Sequence, residues 1–251
     1  MKYRNVVFDL YGTLVDIRTD ETSFAFWKKI RQILREYSVE YKIREVRDLY
    51  FQLIQEEFEK RTDSEYPEIE LRDVFREILQ RKNVTISNEE IDAFAVKFRK
   101  ASYQRFGLYP GVMDLLEYLK EQIVRVILLS NAQECFTLTE LRELGLLPYL
   151  DDVFLSSAYG YAKPGREFFE IMLKKTGIDV RESVMIGNDY KSDMTGAARV
   201  GLDGIYIHQA ISSKIEGDFP AVCKIMDGDV GKIRKYLEKV NGSNEKSSVS
   251  D

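Results

Sequence analysis

The chain has 251 residues, 44% of them hydrophobic and 31% charged, with a formal net charge of -5 at pH 7. That is apolar material for one large or two modest domains of roughly 100–200 residues, and the mild acidity argues against a nucleic-acid partner or an anionic membrane surface. No stretch approaches the roughly 20 apolar residues of a membrane span, and the apolar run VVFDL after MKYRN is too short for a secretory signal, so a cytoplasmic, reducing location is expected.

Val6 to Leu10 is a short run of β-branched, aliphatic and aromatic residues ending near Gly12, and it reads as a buried strand. From about Glu21 to Phe106 the texture changes. Glycine becomes scarce, charge becomes dense, and Phe24, Trp27, Ile30, Ile33 and Leu34 fall at helical spacing. Further helices are predicted around 42–61, 70–82 and 88–106. The last begins at Ser87, where Glu89 and Glu90 suit a first helical turn. Phe24 and Trp27 are expected in the core of this helical block.

Pro110-Gly111 breaks the pattern, and strand–helix alternation follows. Helices at 112–121, 133–144, 166–176 and 190–200 alternate with strands Val124–Ser130, Val153–Ser156, Ser183–Gly187 and Gly204–His208. A helix at 229–240 closes the series. Such alternation predicts an α/β fold, a Rossmann-like parallel sheet with helices on both faces. One strand precedes the helical block and the others follow it, so the block reads as an insertion. The expected division is a catalytic core at 1–16 and 108–240, a helical cap at 17–107, and a disordered polar tail at 241–251.

In sheets of this kind chemistry gathers at the carboxyl ends of the strands. The polar residues there are Asp9, Ser130 with Asn131, Lys163, and Asn188-Asp189. Other chemistries find less support. Cys135 and Cys223 lie far apart, outside any ligand-spaced motif, which argues against a disulfide framework or a zinc site. The single histidine, His208, sits in GIYIHQAI after a predicted strand, with no serine elbow to partner it.

FDLYGTL at Phe8 to Leu14 resembles the first motif of the haloacid dehalogenase superfamily. ILLSNA with Ser130 resembles the second, YAKPGREFF with Lys163 the third, and MIGNDYKSDMTGA with Asp189 and Asp193 the fourth. Four motifs in order, each at a strand end or loop, span residues 4 to 208. The resemblance implies a covalent nucleophile at Asp9 and an aspartyl phosphate if the substrate is a phosphate ester. Ser130, with Thr13, Asn131 and nearby backbone N–H groups, would hold the transferring group. Lys163 would neutralise its charge and hold the nucleophile ionised. Magnesium would sit on Asp9, Asp189 and the backbone carbonyl of Tyr11, with Asp193 in or next to the metal site. The chemistry is consistent, because a carboxylate cannot approach an anionic phosphoryl group without a cation between them. Motif four admits two alignments. Asp189 and Asp193 are four apart, whereas taking Asn188 as the acidic position makes the spacing five and replaces the acid by an amide.

One departure divides the functional readings. Phosphatases of the family usually carry a second Asp two residues after the nucleophile, as general acid and base. Here that position is Tyr11, as in the family's 2-haloacid dehalogenases. Those also carry a tyrosine six residues after the motif-three lysine, which is Phe169 here, and a cap arginine, for which Arg31 or Arg35 are the candidates. The expected function is a magnesium-dependent phosphatase acting on a small phosphorylated molecule. The alternatives are a 2-haloacid dehalogenase and a catalytically weak binder of a phosphorylated ligand. The oligomeric state stays open.

Overall fold

The computed structural model describes residues 1–247. The chain opens with strand β1 (Asn5–Phe8) and β2 (Val15–Thr19), then helices α1 (Phe24–Glu36), α2 (Ile43–Glu59), α3 (Leu71–Gln80) and α4 (Asn88–Ser102). Next come β3 (Tyr103–Leu108), α5 (Val112–Glu121), β4 (Arg125–Ser130), α6 (Glu134–Glu143) and β5 (Asp152–Leu155). The remainder is α7 (Arg166–Thr176), β6 (Ser183–Gly187), α8 (Thr195–Arg199), β7 (Asp203–Ile207), β8 (Cys223–Ile225) and α9 (Gly231–Ser247).

Six parallel strands make one sheet in the order β5-β4-β1-β6-β7-β8, the α/β architecture expected. The central strands are apolar on both faces because helices cover both. Val6, Phe8, Val126, Leu128, Val184 and Ile186 pack on one side with α5 and α9. Val7, Ile127, Leu129 and Met185 pack on the other with Phe168, Phe169 and Met172 of α7. A strand buried on both faces shows no polar alternation, which is why these segments read as continuous apolar runs. Each of those fully buried side chains contributes about 1.5–3 kcal/mol of burial.

Between β2 and β3 the four helices α1–α4 form a block with its own core of Phe26, Trp27, Tyr50, Phe75, Phe94 and Phe98, into which α6 inserts Cys135 and Phe136. Ser87 caps α4 as expected, accepting from the Glu90 amide while Glu90 accepts from the Ser87 amide. Three expectations need correction. The helix expected at 88–106 stops at Ser102, and Tyr103–Leu108 instead pairs antiparallel with Val15–Thr19, so the block joins the core through a two-stranded ribbon. Phe24 is 68% exposed, because it lies on the outer side of α1. Residues 241–247 continue helix α9 rather than forming a disordered tail. Asn241 anchors that helix by accepting from the Lys2 and Tyr3 amides at 2.9 and 3.1 Å. The rest of the expected tail, 248–251, lies outside the described residues. No helix among the described residues is long and apolar enough to cross a membrane.

Candidate active site

Strand order places the site. β4 and β6 flank β1 on opposite sides, so successive crossovers leave β1 in opposite directions and a crevice opens at the carboxyl ends. Asp9 follows β1, Ser130 ends β4, Lys163 follows β5, and Asn188 and Asp189 follow β6. All of them line one cleft of about 230 Å³, together with Tyr11, Asn131, Ser192, Asp193, Ile211 and Ser213.

Asp9 is 7% exposed. Its Oδ1 accepts from Lys163 Nζ at 2.8 Å and from Ser130 Oγ at 3.1 Å. Its Oδ2 has only a long contact from Thr13 Oγ1 at 3.3 Å. The two oxygens are thereby differentiated, one tethered and one available. Gly12 makes the turn after Asp9 possible. Its φ is +86°, and a Cβ there would lie 2.4 Å from Asn188 Nδ2.

Lys163 is buried with all three ammonium protons committed, to Asp9 Oδ1 at 2.8 Å, Asp193 Oδ1 at 2.7 Å and the Leu129 carbonyl at 2.7 Å. Burial opposes its charge, but Asp193 and Asp9 together outweigh burial and raise its pKa. Asn131, expected at the substrate, clamps the Lys163 backbone. Its Oδ1 accepts from Lys163 N at 2.7 Å and its Nδ2 donates to Lys163 O at 2.9 Å. Thr13 Oγ1 lies 3.3 Å from both Asp9 Oδ2 and Asn188 Oδ1, and so bridges the first and fourth motifs.

The segment after β6, expected as one helix over 190–200, starts instead as a π-helical turn, Tyr190–Met194. Such turns are frequent at functional sites. This one folds Asp193 back on the strand end, where its Oδ2 accepts from the Asp189 amide at 2.9 Å. Gly187 permits the approach, since a Cβ there would sit 2.2 Å from Asp193 Oδ2. Both Asp193 oxygens are therefore occupied, one by a lysine ammonium and one by a peptide N–H. Asp193 is thus placed to orient Lys163, the alternative to direct metal ligation that its expected position next to the metal site left open. Burial pushes its carboxyl up to about 7 against the pull of Lys163.

Tyr11 lines the cleft, yet its hydroxyl is committed elsewhere. It donates to Glu140 Oε2 and shares a 2.9 Å hydrogen bond with Thr137 Oγ1, both on α6. Burial, and then the Glu140 charge, raise its pKa further above the ordinary phenol. A phenol so held is a poor acid and a poorer base for the cleft, which counts against the catalytic role expected for it. Glu140 was missed in the sequence. A signal was present, because it is an acid on the same α6 face as Cys135, Phe136, Thr137 and Leu141, all buried.

Oxygen donors line the cleft: the Asp9 and Asp189 carboxylates and the Asn188 amide oxygen, with Tyr11 beside them. Magnesium needs one or two carboxylates and keeps several waters, so these residues suit it, although no cluster of three or more acidic, histidine or cysteine ligands occurs among the described residues. Arg31 and Arg35 line a different groove with Phe24 and Lys28, away from Asp9. Phe169 is fully buried in the core. His208 Nδ1 is hydrogen-bonded to the Tyr206 hydroxyl at 2.8 Å, and the residue is not part of the cleft lining.

Comparisons with known proteins agree with the arrangement. The chain is 33% identical over 116 residues to ribulose-1,5-bisphosphate 5-phosphatase of Halopiger xanaduensis, which covers 45% of this chain and 48% of that one. It is 29% identical over 117 residues to a glyceraldehyde 3-phosphate phosphatase of Methanothermobacter thermautotrophicus, covering 47% and 52%. The chain thus spans about half the length of these relatives. Among solved structures, 2-haloacid dehalogenase from Pseudomonas syringae pv. Tomato superposes with a TM-score of 0.66 at 18% identity, over 94% of this chain and 99% of that one, a likeness of fold. The family model for haloacid dehalogenase-like hydrolase matches residues 3–201, and this chain belongs to that family.

Proposed function

We propose that the chain is a magnesium-dependent phosphatase that cleaves small phosphate esters through an aspartyl phosphate on Asp9. The observation that carries this reading is the asymmetric setting of Asp9, with Oδ1 tethered by Lys163 and Ser130 and Oδ2 left with one long contact. Two relatives named as sugar-phosphate phosphatases support the substrate class.

Asp9 Oδ2 attacks phosphorus, and the ester P–O bond breaks as the new P–O bond forms. Ser130, whose hydroxyl now rests on Asp9, turns to a non-bridging oxygen. Lys163 stays in place, since Asp193 and the Leu129 carbonyl hold it. Asp9, Asp189 and the backbone of Tyr11 would hold magnesium, which would supply positive charge to the phosphoryl group. Water then attacks the acyl phosphate, releases inorganic phosphate and regenerates Asp9. The Tyr11 proton is engaged with Glu140, so leaving-group protonation and water deprotonation fall to solvent. In this reading residues 17–107 act as the cap, and the loop bearing Ile211 and Ser213 forms the core side of the cleft.

The test compares leaving groups. General acid–base help is worth about 10²–10⁴ in rate, so nitrophenyl phosphate is expected to far outpace glycerol phosphate, with a burst of nitrophenolate and trapped phosphoenzyme. Rapid, burst-free hydrolysis of the alkyl ester would mean that another group moves the proton, and the mechanism would fall.

A further inference from the structure

Beside the Asp9 cleft, a polar assembly joins residues of α4, β3, α6 and the loop between β1 and β2. Glu140 of α6 is 2% exposed. Its Oε1 accepts from Arg99 Nε of α4 at 2.8 Å and from the hydroxyl of Tyr103 on β3, and its Oε2 accepts from the hydroxyl of Tyr11. The Arg99 guanidinium also lies 5.1 Å from the Tyr11 ring centroid, 4.8 Å from Phe136 and 5.8 Å from Tyr103, and its NH1 reaches Glu21 at 3.9 Å. Burial works against the Arg99 charge, and the neighbouring Glu140 carboxylate helps to keep it.

The placement matters as much as the bonds. Arg99 stands one turn before the end of α4, and Tyr103 begins the ribbon strand that returns the chain to the core. Glu140 and Thr137 belong to the core, and Tyr11 is two residues beyond the nucleophile. Any swing of the helical block about its β2–β3 root must therefore break the charge-assisted bonds at Glu140 or move the Tyr11 loop with it. Breaking them strands a carboxylate in a buried site, a costly state.

We infer that Glu140, with Arg99 and Tyr103, is a positioning clasp that ties the root of the helical block to the nucleophile loop through the Tyr11 side chain. Tyr11 acts as the anchor of that clasp, and Glu140 and Arg99 act on the reaction only through it. Where the clasp bears on the Tyr11 carbonyl, the inference rests on the proposed phosphatase reading. The coupling itself does not.

Amide hydrogen exchange of the full chain, without metal or substrate, tests the coupling directly. Arg99→Met changes only the block, and Tyr11→Phe removes only one core hydroxyl. The first is expected to accelerate exchange about tenfold in peptides covering residues 9–15, and the second by a similar factor across 96–108. Glu140→Gln should do both. Peptides of β7, on the far side of the sheet, serve as the control and should keep wild-type rates. Acceleration confined to the substituted element, or equal acceleration in β7, would overturn the clasp. With magnesium and nitrophenyl phosphate, Arg99→Met should lower kcat about tenfold while KM moves less than about twofold, a split that general loosening would not produce. An unchanged kcat, or a KM that rises in step with its fall, would also overturn the positioning role. If wild type shows no phosphate release, the proposed function fails while the exchange result still decides the clasp.

Discussion

Two buried cations organise this molecule, and they do so differently. Lys163, with a side chain 1% exposed, is a point charge whose three protons go to Asp9, Asp193 and a strand carbonyl, all within the core. Arg99, with a side chain 12% exposed, is a plane that bonds Glu140 at its edge and covers aromatic rings with its face, touching residues of both the core and the block. A lysine in that setting fixes two carboxylates at one distance. An arginine spreads its hold over a surface, which suits a tie between two packed units. The first arrangement fixes one oxygen of Asp9, and the second links α4 to α6.

The largest effect should come from the partner common to the first cluster and the chemistry. Asp9→Asn leaves Lys163 bonded to Asp193, so the fold should persist while turnover on nitrophenyl phosphate falls about 10³-fold or more. Retention of a tenth of wild-type activity would end the covalent mechanism. Next is the metal. A chelator should abolish phosphate release and added magnesium restore it, and Asp189→Ala should raise the magnesium requirement at least about tenfold. Chelator-resistant halide release from a 2-haloacid would move the chain to the dehalogenase reading.

Stability sharpens the contrast between the two cations. Lys163→Met leaves two buried carboxylates facing each other and is expected to cost about 3–5 kcal/mol by chemical denaturation. Arg99→Met leaves Glu140 with two tyrosine donors and should cost less, about 1.5–3 kcal/mol. The reverse order would show that the helical tie, not the nucleophile cluster, dominates the fold.

The smallest effect concerns a half-buried acid held by neutral donors. Glu68 accepts from the Ser156 hydroxyl at 2.7 Å and from the Ile69 amide at 3.0 Å, and burial raises its pKa. The folded state therefore keeps its proton to higher pH than the unfolded state. That stabilising contribution is complete below the unfolded value and is lost as pH rises through the folded one. Glu68→Gln, which cannot ionise, should gain in Tm relative to wild type between pH 4 and pH 7. A constant or shrinking difference would contradict the burial argument.

The nucleophile cluster was legible because chain position determines it. Asp9, Ser130, Lys163 and Asp189 each follow a strand, and a parallel sheet gathers strand ends whatever the loops do. The clasp was not legible, since Tyr11, Arg99 and Glu140 are far apart in sequence and no local pattern pairs them. Tyr11 reads as a missing acid along the chain, whereas across it the hydroxyl bonds Glu140 and Thr137 of α6. The β2 strand was hidden for a related reason. Val15 to Thr19 alternates in burial, but its partner lies some ninety residues on, at Tyr103 to Leu108, so the expected boundary at residue 17 cut through the strand.

The ribbon also makes the insertion separable in principle. Thr19 and Tyr103 are register partners, so the block enters and leaves the core at neighbouring points. A short turn grafted between these two positions would close an ordinary hairpin and delete more than eighty residues without stretching the chain. What such a graft would uncover is chemical rather than geometric: Cys135 and Phe136 would meet water, and Glu140 would lose its guanidinium. Exposed to water Glu140 would need no partner, whereas Phe136 would be left as bare apolar surface, so α6 carries in its own sequence the imprint of the helices that cover it.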